Sequence, residues 1–286
     1  MAKLKAAFIP LTLPPILLMT IHAIYGMFNN PLTWVGSLLV MLAIIGAFGW
    51  IAMPQVARTN EYMLPFSLAI FTGTVMTIYA YLNTETGSFF PAGYTIYGVL
   101  FWMLYLLWYS RFDRVTPGTV RVGNTFPQFF VEDINGNPDH SGKLKGKIAL
   151  YMFYRGNWCP LCMSQIREIA ASYQELAKRG VEIALISPQS HENTQKLAKQ
   201  YNVPFHFWVD TENKVAQMLG IEEKSGVVMG YPGYEPDTVF PTVVITNEDS
   251  EIIFVHETDN YRIRPEPKTF LDILDTYLAN KATASA

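Results

Sequence analysis

Cys159 and Cys162 are the only two cysteines in 286 residues, and they stand three apart in Trp158-Cys159-Pro160-Leu161-Cys162. An apolar run over 148–154 leads into a break at Arg155-Gly156-Asn157, and helical periodicity follows the second cysteine. Strand, short loop, Cys-x-x-Cys and helix is the order of a thiol–disulfide redox site. A cysteine at a helix N-terminus faces unpaired N–H groups and the positive end of the helix dipole, both of which favour a thiolate. A second thiol three residues on can resolve whatever the first one forms. Oxidation of this pair would close a tiny loop and constrain the unfolded chain little, so reactivity outweighs stapling. A structural zinc site takes four Cys or His ligands. No second Cys-x-x-Cys exists and the five histidines lack ligand spacing, so neither a metal nor another cofactor is expected.

The elements around the pair read as an α/β fold. Residues 128–132 form a short strand closed by a turn at Asn135-Gly136. Residues 147–154 are the central strand that enters the redox loop. A helix over 161–179 carries Ile166, Ile169, Ala170, Tyr173 and Leu176 on one face and stops at Gly180. Strand 181–187 is almost continuously apolar, as in a sheet covered on both faces. Helix 192–201, strand 205–209 and helix 213–219 come next. After a Gly/Pro-rich loop over 226–237, strands 242–246 and 251–256 form a hairpin, and an amphipathic helix over 265–278 closes the unit. Strands alternating with helices, then a terminal hairpin and helix, describe a thioredoxin-like sheet. The small-residue stretch 279–286 reads as a frayed tail.

The N-terminal part has a different composition. The chain is 50% hydrophobic and 16% charged, against about 25% charged in soluble domains. Between Ala6 and Ser110 the only charged residues are Arg58, Glu61 and Glu85. Stretches 8–27, 33–53, 63–82 and 92–109 each suit a hydrocarbon core, which takes about 20 helical residues to cross. Trp34, Trp50, Tyr62, Tyr81, Trp108 and Tyr109 lie near their ends, where amphipathic rings favour the interface. Gly36, Gly46 and Gly49 would allow close helix approach. His22 is the one ionisable group inside a span and reads as a satisfied, helix-facing residue. With no cysteine and no central charge, this region reads as an anchor. The division is therefore a four-helix transmembrane region over 1–112, a linker over 113–124, a thioredoxin-like domain over 125–280 and a tail over 281–286.

Lys3, Lys5, Arg58, Arg111, Arg114 and Arg121 all fall on one side of a four-span arrangement. Because cytoplasmic loops carry the excess of Lys and Arg, a multi-pass protein of the inner (plasma) membrane with its redox domain on the cytoplasmic face is expected. Losing one span would place that domain on the extracytoplasmic face. A net charge of −3 leaves no basic footprint for nucleic acid.

Residues 122–278 resemble the alkyl hydroperoxide reductase/thiol-specific antioxidant (redoxin) branch of the thioredoxin superfamily. Gly123-Asn124-Thr125-Phe126-Pro127-Gln128-Phe129, the run Phe153 to Cys162, and Phe240-Pro241-Thr242 carry the likeness. The Arg-Gly-x-Trp-Cys-Pro-x-Cys signature resembles that of the "peroxiredoxin-like" members. Two mechanisms follow from the resemblance. On a peroxiredoxin pattern, Arg155 takes the place of a proline, Cys159 that of the peroxide-binding threonine, and Cys162 is the attacking cysteine. The arginine of that pattern falls on Phe240, leaving Arg155, Arg262 and Arg264 as other sources of a guanidinium. On a thioredoxin pattern, Cys159 attacks, Cys162 resolves, Trp158 shapes the rim, and Pro241, as a cis-proline, holds substrate backbone. Tyr154 and Arg155 complete the candidate substrate-binding set.

Three functions are thereby expected, led by a membrane-tethered oxidoreductase acting on protein or small-molecule disulfides. A thiol peroxidase reducing hydroperoxides is the second, and a membrane-bound redox sensor or scaffold the third. Each implies the lipid bilayer and a reducing thiol system as partners. The absent threonine and Phe240 favour the disulfide.

Overall fold

The computed structural model describes residues 2–83, 88–112, 120–229 and 231–284. Arg114, Pro117 and Gly118 of the expected linker, and Glu85, lie outside the described residues. Among those described, four helices are long and apolar enough to cross a membrane: α1 (Ala2–Asn29), α2 (Pro31–Ile51), α3 (Leu64–Asn83) and α4 (Phe90–Leu104), the last continued by a π turn over Tyr105–Tyr109. α1 carries Pro10, Pro14 and Pro15 without ending.

Small residues set the crossing of α2 and α3. A Cβ on Gly36 would run into Thr77 Oγ1 and stand 2.5 Å from Gly73 O, whereas Gly49 has open space around it. The expectation of close packing therefore holds at Gly36 and fails at Gly49. Backbone cannot yield as a side chain can, and overpacking of this kind costs about 1–3 kcal/mol. Gly36→Leu is expected to lower the thermal midpoint in detergent, with Gly49→Leu unchanged; equal midpoints would refute the packing role. His22 accepts or donates a 2.6 Å hydrogen bond with Tyr94 OH and sits among Trp34, Phe90 and Tyr94, which satisfies it structurally.

The rest of the described chain is β1 (Phe130–Glu132), β2 (Pro138–His140), β3 (Ile148–Phe153), α5 (Pro160–Ala171), α6 (Tyr173–Lys178), β4 (Val181–Ser187), α7 (His191–Tyr201), β5 (His206–Val209), α8 (Lys214–Leu219), β6 (Glu222–Glu223), β7 (Thr238–Val239), β8 (Thr242–Thr246), β9 (Ile252–Glu257) and α9 (Pro267–Ala284). The described residues form a seven-stranded sheet in the order β2-β1-β5-β4-β3-β8-β9, with β6 paired to β7 apart from it. β3, β4 and β5 are mutually parallel, and β8 and β9 return antiparallel. This is a thioredoxin-like α/β fold.

Side chains alternate across β3. Ile148, Leu150 and Met152 join Tyr154 on the face covered by α5, α7 and α9. Ala149, Tyr151 and Phe153 turn to the face covered by α8. The first of these clusters runs without a break into Met41, Ile44, Phe101 and Tyr105 of the helical region, so one buried apolar body joins the two parts.

Three local expectations change. The helix expected over 161–179 is interrupted at Ser172, whose N–H is shared between the carbonyls of Glu168 and Ile169. The expected frayed tail is helical: α9 continues to Ala284, and Lys281 Nζ holds Glu248 Oε1 at 2.6 Å. The described end of the linker is pinned, because Gly123 N–H donates to Ile252 O at 2.8 Å and Val120 is buried.

Candidate active site

β3 delivers the chain to the site. Beyond its end, Tyr154 N–H still bonds Ile186 O at 3.0 Å. The turn that follows needs Gly156, at φ +136°, where a Cβ would stand 2.9 Å from the Trp158 ring. Asn157 ties the loop to α7 through its Nδ2 donating to Asn193 O at 2.7 Å. Cys159 is the N-cap residue of α5 and Pro160 follows as its first residue, where proline's missing N–H costs nothing. Cys162 lies in the first turn. Both thiols are free, and both are buried, at 2% and 0% exposure.

The two thiols differ in how readily each gives up its proton. Burial pushes the Cys162 thiol up. The hydrogen bond from Cys159, the charge of Arg264 and the N–H of Arg155 outweigh it and hold Cys162 at about 6. The bond Cys159 gives to Cys162, followed by burial, raises Cys159. The geometry agrees: Arg264 Nη2 stands 3.8 Å from Cys162 Sγ, with Nη1 3.5 Å from Gln165 Oε1. The anion therefore sits on Cys162 with Cys159 as its S–H donor, in the place where the peroxiredoxin pattern keeps a threonine hydroxyl.

The remaining candidates divide between the pair and its supports. Arg155 is buried, paired through Nε with Glu223 Oε2 at 3.1 Å and bonded to Gly226 O. Its guanidinium lies 4.7 Å from the centre of the Trp158 ring. Trp158 forms the rim with Tyr231 and Tyr234. Tyr154 is fully buried and accepts from Gln189 Nε2 at 2.9 Å. Gln189 Oε1 also accepts from Asn157 N–H at 2.8 Å. Tyr154 thus lies in the core as a support of the loop.

Pro241 also departs from expectation. No described peptide bond is cis. The chain passes extended from β7 straight into β8, so a trans proline suffices there. Thr242 is in register with Phe153, which places Pro241 level with Tyr154 at the mouth of the redox loop. Phe240 packs on Phe112 at 4.8 Å. The guanidinium comes from Arg264 instead, on the segment between β9 and α9. Arg262 turns away into the helical region, where Nε donates to Ser110 Oγ at 3.0 Å.

Glu223, Gln189 and Tyr261 were not singled out by the sequence. Glu223 is raised by burial, opposed by the charge of Arg155. With Arg155, Lys5, Tyr109, Phe240 and Tyr261 it lines a cavity of about 320 Å³ between α1, the end of α4 and the loop after α8. No motif spacing signals such residues, because each comes from a different element.

A thioredoxin-like sheet presenting a buried, charge-divided Cys-x-x-Cys at the start of a helix defines a thiol redox domain. Residues 122–254 match the AhpC/TSA family. The C-terminal part of the chain is an AhpC/TSA redoxin domain of the thioredoxin superfamily. The chain is 35% identical over 112 residues to peroxiredoxin Q, chloroplastic, of Sedum lineare, covering 39% of this chain and 58% of that protein. It is 29% identical over 121 residues to the thiol-disulfide oxidoreductase ResA of Bacillus subtilis, covering 41% of this chain and 67% of that protein. Peroxidoxin BcpB from Mycobacterium tuberculosis superposes with a TM-score of 0.47 at 18% identity, covering 55% of this chain and 97% of that one. The two sequence relatives, a peroxiredoxin and a thiol-disulfide oxidoreductase, are of the two kinds that the residues suggested.

Proposed function

We propose that this chain is a membrane-anchored thiol–disulfide oxidoreductase that cycles Cys159 and Cys162 between dithiol and disulfide. The observation that carries this reading is the free, buried pair of thiols at the start of α5 with the Arg264 guanidinium 3.8 Å from Cys162 Sγ. Cys162 thiolate attacks one sulfur of a substrate disulfide and expels the other as a thiolate. Cys159, giving up its proton, then attacks Cys162 Sγ and releases the second substrate thiol, leaving an internal disulfide. A reducing thiol system restores the dithiol. Burial of both sulfurs favours small-molecule disulfides over folded proteins.

Arg264 favours a second reading as a thiol peroxidase. A guanidinium beside a thiolate can also hold the oxygens of a hydroperoxide. Cys162 would then become a sulfenic acid as the alcohol leaves, and Cys159 would close the disulfide with loss of water. The full chain in detergent is expected to reduce a small aromatic disulfide faster than it consumes cumene hydroperoxide at equal concentration. Faster peroxide consumption, with a sulfenic acid trapped on Cys162, would install the second reading in its place.

For the anchor, Arg58 and Arg111 meet the redox domain at one end of the helices, with Lys5 beside them: Arg58 Nε donates to Arg264 O at 3.1 Å, Arg111 bridges antiparallel to Asn260, and Lys5 Nζ donates to Arg111 O at 2.6 Å. Positive residues favour the cytoplasmic side, so the redox domain is assigned to the cytoplasmic face of the inner membrane. A reporter fused after Ala286 that is active only outside the cytoplasm would reverse the assignment.

A further inference from the structure

We propose that the loop between α2 and α3, residues 52–63, is a working part of the redox site, because it holds Arg264 against Cys162 and so sets the reactivity of the thiolate. This rests on the reading of Cys162 as the charged member of the pair. It gives the helical region a role beyond anchoring.

The loop grips both elements whose spacing matters. On one side it holds the segment that carries Arg264. Arg262, fully buried, donates from Nη1 to Thr59 Oγ1 at 2.8 Å and to Asn60 O at 3.0 Å, and from Nη2 to Glu61 O at 2.9 Å. Thr59 N–H donates back to Arg262 O at 3.0 Å. Arg58 reaches further along, with Nε 3.1 Å from Arg264 O and Nη2 3.2 Å from Pro265 O. On the other side the loop holds α5 just beyond Cys162. Ser164 Oγ donates to Pro54 O at 2.7 Å, Arg167 Nη1 to the same oxygen at 3.2 Å, and the Arg58 guanidinium pairs with Glu168.

One loop thus fixes α5, which carries the sulfur, and the segment 262–265, which carries the guanidinium. Attraction between charges falls with separation and with the entry of water. Loosening either grip lets Arg264 retreat from Cys162 Sγ. Arg58 and Arg262 are positioning residues: neither touches the sulfur, and each acts through Arg264.

The test follows the ultraviolet absorbance of the thiolate against pH in the full chain, in lipid nanodiscs, for wild type, Arg264→Gln, Arg58→Gln and Arg262→Lys. Arg264→Gln is expected to raise the lower midpoint by about one pH unit or more, as loss of a neighbouring opposite charge does. Arg58→Gln and Arg262→Lys are expected to move it the same way by roughly half that amount, in the range of a weakened charge contact. Arg179→Gln, which breaks the pairs with Asp275 and Glu175 far from the thiols, leaves it in place. If Arg264→Gln shifts the midpoint while Arg58→Gln and Arg262→Lys match wild type, the loop is a fastening alone and the proposal is overturned. If Arg264→Gln itself moves nothing, the assignment of the anion to Cys162 fails, and the proposal with it. Should Arg262→Lys not fold, Arg58→Gln, at a partly exposed side chain, decides alone.

Discussion

Cys162→Ser is expected to abolish turnover, while Cys159→Ser retains the first chemical step. At neutral pH the negative charge is on Cys162, held by the Cys159 S–H, Arg264 and the Arg155 N–H. A serine hydroxyl at 162 cannot ionise in that range and burial keeps the Cys159 thiol protonated, so the loss is at least about 10³-fold, the scale of removing an activated nucleophile. In Cys159→Ser the hydroxyl can still donate to the Cys162 thiolate. One substrate equivalent then reacts and stops as a mixed disulfide, because nothing attacks it from within. Mass spectrometry of each variant after one equivalent of a small disulfide checks this. An adduct on Cys159 in Cys162→Ser, with none on Cys162 in Cys159→Ser, would restore the thioredoxin order of attack.

The order of attack divides the two sequence patterns, and the division has a physical cause. The Cys-x-x-Cys spacing, the preceding apolar strand and the amphipathic helix are local patterns, and they made the sheet, the redox loop and both cysteines legible. The charge balance of the pair is not local. It depends on Arg264, 102 residues from Cys162 along the chain, and on a helical region that composition alone marks as an anchor. β2 was likewise hidden. The sequence pattern marks no strand at Pro138-Asp139-His140, but Asp139 accepts from the buried Trp208 Nε1 at 3.0 Å, and pairing with β1 makes it a strand. The same limit applies to β6 and β7, two residues each on either side of the Gly/Pro-rich loop. Pro241 shows the reverse case: the motif Phe-Pro-Thr was legible, but its peptide geometry follows from how β7 feeds β8.

Stability should rise with pH from about 6 to about 8.5 and fall beyond it, a profile set by the same pair. Unfolded thiols titrate near about 8.5. In the folded chain Cys162 is held at about 6, while Cys159 is raised well above its ordinary value. Between those limits the folded chain has lost one proton that the unfolded chain still binds. Unfolding then takes up a proton, and stability climbs with pH by up to about 1.4 kcal/mol per unit for a single site. Acidification through about 6 removes the gain, as it must for a group whose folded value is depressed. Above about 8.5 the unfolded chain loses both protons while the folded one keeps that of Cys159, and the slope changes sign. Arg264→Gln should flatten the acidic limb. It should also slow reaction with a disulfide at pH 7 by about tenfold if Cys162 rises by two units, with the difference vanishing where both forms are fully ionised. Thermal midpoints from pH 5 to about 10, together with the rate profile, test both limbs. A wild-type midpoint that is flat across the acidic limb would show that the pair carries no shared charge at all.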